Sequence, residues 1–497
     1  MRHRFFALPL LALAFLPGSG CAPAPGPSDP PGAVAGPALQ ALVEAVVADE
    51  PAIRGAALAV SAPAIGLEWA GAAGLADPAT GTAMTPSMPV RIASNTKTFV
   101  AAAVLRLVED GRLDLDAPLA EALPRDAADL LASDGYDLGA ITVRHLLTHT
   151  SGIHDHTEGE AYAEAIVADT RHRWTPHEQI ARAVALGDPH APPGAVYSYC
   201  DTGYVLLGLV LERATGQPLA AAVRRLVDFE KLGLASTWWE TLEPAPAGVP
   251  DRAHQFFGDA DTHGFDPSFD LYGGGGLAAP VGDLARFFGA LFRGRVYGDP
   301  ATLDLMLTTV EGARAREDAG AGSLPPGAYR MGVWVRELEG RTVYQHTGFF
   351  GTVAAFVPDL DLAVAATVNQ NTGRVFDRIL AGSIRVVEDA AATPAVSAGH
   401  SPTASRMTGV KVSAMSRLPS ADGWHQSRNS SSPRPSPRRS AAASNVFSRS
   451  TSTALGWSPA TRRTASLRST IMPAPPTVRL RATRKCRRAC SRSPSVS

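Results

Sequence analysis

Apolar periodicity changes twice along this chain, and the order of those changes limits the folds open to it. Residues 38–49 carry Leu39, Leu42, Val43, Val46 and Val47, a stripe at helical spacing with a polar opposite face. Residues 54–62 and 65–73 then read as two strands around a Pro63-Ala64 turn. From Ser94 to about Asp110 a helix is expected, apolar on most sides and stopped by Gly111. Residues 113–141 read as loops and short helices broken at Pro118 and Pro124. Two further helices are expected, one over 204–214 after a Pro192-Pro193-Gly194 turn and one over 283–292 after the glycine run 273–276. The period then returns to two. Residues 330–337, 341–347, 353–357 and 362–369 read as four strands, and 375–388 as a closing helix. Strands at both ends of a mostly helical middle predict an α+β fold: one antiparallel sheet flanked by helices, plus an all-helical subdomain. The cleft between the two is the natural place for a site.

Charge divides the chain differently. The net charge of −1 conceals a body, residues 1–392, with 28 basic and 46 acidic residues, and a segment 393–497 with 18 basic residues and one acid, Asp422. That basic segment is rich in Ser, Arg and Pro and poor in apolar residues, so disorder is expected. A basic arm for nucleic acid or an anionic envelope surface is one reading of it. A late change of reading frame is the blander one, favoured here, and no nucleic-acid partner is expected. At the other end, Arg2, His3 and Arg4 precede a short apolar run, residues 5–16, in the pattern of an export signal over residues 1–20. Gly18-Ser19-Gly20-Cys21 resembles a bacterial lipoprotein cleavage site, which makes Cys21 the candidate lipid anchor. Gly18 departs from the aliphatic residue usual there, and plain signal cleavage is the alternative. Residues 21–37, rich in Pro, Gly and Ala, read as a tether. Apart from Cys21 the body holds one cysteine, Cys200, so no disulfide is expected within it.

Chemistry enters at Ser94-Asn95-Thr96-Lys97. Only four lysines occur, Lys97, Lys231, Lys411 and Lys485, and only Lys97 has a serine three residues before it. That spacing puts both side chains on one helix face. A serine hydroxyl needs a base, and lysine can act as one where arginine cannot. Two further motifs follow: Tyr199-Cys200-Asp201, before the helix expected over 204–214, and His346-Thr347-Gly348, closing a strand. Ser-x-x-Lys, Tyr-x-Asn and Lys/His-Thr-Gly in this order resemble the serine β-lactamase and penicillin-binding protein superfamily. Residues 91–116, Leu146-Leu147-Thr148-His149-Thr150-Ser151-Gly152 and 193–208 resemble its class C β-lactamase and D-alanyl-D-alanine carboxypeptidase branch. The resemblance covers roughly residues 38–392.

What the resemblance implies is specific. Ser94 is the nucleophile and Lys97 the base, expected partly buried near other donors with its pKa drawn down. Tyr199 passes protons, its phenol depressed by the lysine charge. His346 and Thr347 bind the substrate carboxylate, with His346 as an imidazolium. Gly348 lets the strand edge approach the substrate, and the oxyanion sits between the N–H groups of Ser94 and Phe349. Asp201 stands where the family has asparagine, so an amide donor is replaced by a carboxylate beside Lys97. Phe349-Phe350-Gly351 narrows or greases the pocket. No cofactor is implied. His145, His149, His154 and His156 lack a zinc-ligand pattern, and Gly273 to Gly276 lacks the Lys-Ser/Thr of a phosphate loop. The expected activity is that of an exported acyl-enzyme hydrolase of D-alanyl-D-alanine-type peptides. A β-lactamase or an esterase of small esters is the alternative, and a non-catalytic wall-binding protein the reading from another class.

Overall fold

The computed structural model describes residues 31–270, 272–316 and 328–392. The signal segment, Cys21 and residues 393–497 lie outside the described residues. Seven strands build the main sheet: β1 (Gly55–Ala62), β2 (Leu67–Asp77), β3 (Thr82–Ala83), β4 (Trp334–Leu338), β5 (Arg341–Gly348), β6 (Thr352–Val357) and β7 (Leu362–Val368). Their order is β4-β5-β6-β7-β1-β2-β3, and every neighbouring pair is antiparallel. The first and last strands of the described residues, β1 and β7, therefore meet in mid-sheet, where Ala56 pairs with Val368 and Ser61 with Ala363.

Five helices matter to the site: α1 (Pro31–Asp49), α2 (Thr96–Glu109), α3 (Asp201–Thr215), α4 (Val281–Phe292) and α5 (Phe376–Ala392). Both sheet faces are covered, which is why β1 and β7 are buried at every position and almost wholly apolar, Ser61 and Thr367 excepted. On one face Leu58, Val60, Val364 and Val368 pack under α1 and α5. On the other, Ala57, Ala59, Ala363 and Ala365 are small enough for α4 to lie close. Gly289 of α4 is part of that fit, since a Cβ there would stand 3.2 Å from the Ala363 methyl. Each fully buried Val or Leu contributes about 1.5–3 kcal/mol.

α2 runs through the centre with eleven buried residues, from Thr96 to Leu107, so it is apolar nearly all round. Its far end closes at Gly111, whose φ of 66° is the left-handed conformation that glycine takes without strain.

Three expectations need correction. α1 starts at Pro31, inside the segment expected to be a tether, because buried Ala35 and Gly36 against Trp69 draw that stretch onto the sheet. The middle is not purely helical. Val90–Arg91, Leu277–Ala279 and Trp238–Trp239 form a small sheet, and Phe256–Phe257 with Ala260–Asp261 a hairpin. It also shares one core with the alanine face of the main sheet. Finally, β4 begins at Trp334 where a strand from 330 was expected. Arg330 N–H donates to Val333 O (2.8 Å) across a tight turn, in which Gly332 lies against the α2 backbone.

Candidate active site

Ser94 sits in a short 3₁₀ turn, Ala93–Asn95, that feeds directly into α2. It is the one residue between 91 and 100 that is not buried. Ala93 just before it has φ 46°, a left-handed conformation unfavourable for alanine, which presents the next side chain outward. The turn is held from two sides. Asn95 Nδ2 donates to Ile92 O (3.1 Å) and Thr352 Oγ1 (2.9 Å). Gln255 accepts from Arg91 N–H (2.8 Å) and donates to Arg91 O and Phe350 O, both at 3.1 Å. One buried side chain thus ties the nucleophile turn to the β5–β6 turn and to the hairpin of Phe256–Phe257.

Lys97 is fully buried one turn along. Its Nζ lies 2.9 Å from Ser94 Oγ, donates to Gly274 O (2.7 Å) and pairs with Asp201 Oδ1. The expected surroundings of donors are therefore replaced by acceptors. The Tyr199 and Tyr204 rings complete the amine's surroundings, with centroids 5.1 and 5.6 Å from Nζ.

Asp201 opens α3, capped by the preceding Cys200, whose Sγ accepts from Gly203 N–H (3.4 Å). Its own N–H donates to Asp155 Oδ2 (3.0 Å). Burial and the neighbouring Asp201 charge push the Asp155 carboxyl up to about 7, and the same causes in the same order raise Asp270 to about 7. Three carboxyls thus cluster here, Asp201 on the amine, Asp155 on the Asp201 N–H and Asp270 close enough to feel both charges. Tyr199 shares a hydrogen bond with Ser94, yet its phenol is held well above its ordinary range, by burial first and by Asp201 second. The expectation of a depressed phenol is overturned: Tyr199 is a protonated donor.

At the other end of the cleft, β5 finishes in His346, Thr347 and Gly348. His346 is 1% exposed. Its Nδ1–H donates to Thr347 O (2.8 Å) and its Nε2 accepts from the Tyr329 hydroxyl (3.1 Å). Burial, and then the charge of Lys97, lower its pKa to about 3. The expected imidazolium is therefore corrected to a neutral ring with both nitrogens occupied. Gly348 has a packing role as well. A Cβ there would stand 2.2 Å from Ile92 O and from Thr352 Oγ1, so the glycine permits a close approach to the nucleophile turn. Thr347 is partly exposed, and Phe349 follows with its ring 52% exposed.

The four histidines of residues 145–156 have separate tasks. His145 Nδ1 accepts from Thr142 N–H in a helix cap, and His154 meets Glu158. His156 is buried against Thr202 Oγ1. His149 Nδ1 accepts from Cys200 N–H (3.1 Å), so Nε2 carries its proton among the rings of Tyr199 and Tyr329, 4.3 and 4.5 Å away. Sequence reading missed Asp155, Asp270 and Gln255. It also gave Gly273 to Gly276 no part in the site, whereas Gly274 supplies a carbonyl to Lys97, and Gly273 lies where a Cβ would stand 1.9 Å from Tyr204 O.

A sheet backed by helices, with a serine and a lysine joined at the start of a buried helix, is the arrangement of the β-lactamase and transpeptidase fold. The chain belongs to the beta-lactamase family, which it matches over residues 39–388. It is 39% identical over 183 residues to esterase EstB of Burkholderia gladioli, spanning 36% of this chain and 45% of the esterase. To penicillin-binding protein 4 of Amycolatopsis lactamdurans it is 34% identical over 163 residues, 33% of this chain and 39% of that protein. These alignments span less than half the length of either relative. Among solved structures, the D-stereospecific amidohydrolase from Streptomyces sp. superposes with a TM-score of 0.55 at 28% identity, covering 71% of this chain and 97% of that one.

Proposed function

We propose that this protein is an acyl-enzyme hydrolase of carboxylic esters and amides whose acyl part is uncharged or carries a free amine. The observation that carries the reading is the neutral, doubly hydrogen-bonded His346, which offers no charge to a substrate carboxylate. Beside it, Asp201 has a partly exposed carboxylate that only accepts hydrogen bonds, so it favours a substrate N–H or ammonium over a carbonyl.

In the proposed reaction Ser94 Oγ bonds to the carbonyl carbon. Its proton passes to Lys97 as a lysine proton passes to Asp201, so that Lys97 stays an ammonium, the Asp201 carboxylate is neutralised, and the charge gained by the pair balances the oxyanion. Negative charge on the carbonyl oxygen is received by the N–H groups of Ser94 and Phe349. The leaving oxygen or nitrogen departs with the proton of Tyr199, whose raised pKa keeps that proton in place until it is needed. Tyr199 is reprotonated from the Lys97 pair, and water then cleaves the acyl-serine by the reverse route. Related proteins named as an esterase and an amidohydrolase support this class.

A second reading, a D-alanyl-D-alanine carboxypeptidase, is supported by the order of the three motifs and by similarity to a penicillin-binding protein. The test is a panel of a p-nitrophenyl ester, an amino-acid amide, a D-Ala-D-Ala peptide and a chromogenic cephalosporin. The proposal expects the first two to give the higher kcat/KM; preference for the peptide would replace it with the second reading. We further place the enzyme at the cell envelope, on the strength of the basic and apolar leader and Cys21.

A further inference from the structure

We propose that Phe257 and Phe349 form a subsite for an aromatic or long alkyl acyl group of the substrate, an inference that rests on the acyl-enzyme reading above. Two Phe-Phe pairs occur near the nucleophile, on segments far apart in sequence, and each splits the same way. Phe256 and Phe350 are buried at 7% and 1% exposure, while Phe257 and Phe349 are 48% and 52% exposed. The buried member of each pair serves the core; Phe350, for example, packs edge-on to Phe269 at 5.9 Å. The exposed members meet each other, stacked with centroids 5.6 Å apart and planes 22° from parallel.

This platform is held in place. Gln255, next to Phe256, donates to Phe350 O and Arg91 O, while Phe256 N–H donates to Asn369 O (3.1 Å). The backbone segments that carry both outward rings are thus tied to Arg91, three residues before Ser94. The occupant follows from the directions around a tetrahedral carbon. The leaving group points to Tyr199, which protonates it, and the oxygen to the N–H of Phe349. We assign the remaining substituent, the acyl group, to the side chain of that same Phe349 and the ring stacked on it. Two flat apolar rings at that place suit an aryl or alkyl group, and the neutral His346 adds no cation that would favour an anionic one.

The test compares p-nitrophenyl acetate with p-nitrophenyl phenylacetate, which share a leaving group and differ only in the acyl part. The wild type is expected to prefer the phenylacetate. Phe257→Ala should lower the phenylacetate-to-acetate ratio of kcat/KM by about 2- to 10-fold, the size of one aromatic contact, mainly through KM, and Phe257→Tyr should keep the ratio. The p-nitrophenol burst counts folded, acylating enzyme in each variant. A normal burst with an unchanged ratio in Phe257→Ala would overturn the subsite and leave the acyl-enzyme reading standing. A wild type with no burst and no acyl adduct would overturn both. A change in oligomeric mass on Phe257→Ala with the ratio intact would assign the rings to self-association instead.

Discussion

The two ends of the cleft are built on opposite principles. Around Lys97 the fold gathers an amine, the Asp155, Asp201 and Asp270 carboxyls and the Tyr199 phenol, most of them buried. At the end of β5 it gathers a neutral histidine, a threonine, a glycine pressed on the nucleophile turn and an exposed phenylalanine. On the proposed reading the charged end moves protons and, through Asp201, meets a substrate ammonium, while the β5 end recognises by shape and apolar contact. In a low-dielectric pocket this separation keeps the proton relay from being disturbed by a permanent charge on the recognition side.

The contrast can be broken most forcefully at Lys97. Lys97→Arg keeps the positive charge against Asp201 but cannot take a proton from Ser94, so acylation should fall by at least about 10²-fold. Stopped-flow measurement of the burst reads this; a near-normal rate would make Lys97 a counter-ion only. Gly348→Ala probes the neutral end. Its Cβ would collide with Ile92 O and Thr352 Oγ1, and the overpacking should cost about 1–3 kcal/mol of stability in urea denaturation, with loss of activity as the nucleophile turn shifts. Unchanged stability would mean that the two turns are not packed as described.

Asp201→Asn moves the charged end toward neutrality by restoring an amide donor. The ratio of kcat/KM for a free-amine amino-acid ester over its N-acetyl counterpart should drop by about 10-fold, in line with one charge-assisted hydrogen bond. A constant ratio would remove Asp201 from substrate recognition. The remaining effect is on stability and concerns His346. In the fold it takes a proton only near pH 3, against 6.5 for the unperturbed group. The unfolded chain therefore protonates first, and this residue's contribution is complete above about 6.5 and lost as pH falls toward 3. The stability advantage of wild type over His346→Gln should shrink across that window and stay constant above it. KM for a D-Ala-D-Ala peptide and for a neutral ester should likewise show no His346 titration between about pH 5 and 8.

Much of this was legible in the sequence, and the limits have physical causes. Each main-sheet strand declared itself, save the tiny β3, as did the long helices, because their apolar period depends on nearby residues alone. Ser94, Lys97, Tyr199 and His346 were legible through spacing and type. The charge of His346 was not, since it depends on burial and on Tyr329 and Thr347 accepting or donating at the ring. Nor were Asp155, Gln255 and Gly274, which reach the site across 46, 164 and 177 residues of chain. The start of α1 was misread because Pro and Gly signal a tether locally, while Ala35 answers to the sheet it packs on.

The central claim is that Ser94 carries the acyl group, and intact-mass and peptide mapping after acid quench of a p-nitrophenyl ester reaction tests it directly. One acyl equivalent on the peptide containing Ser94, absent from Ser94→Ala, is the result predicted. Turnover that persists in Ser94→Ala, or an adduct on another residue, would contradict the account.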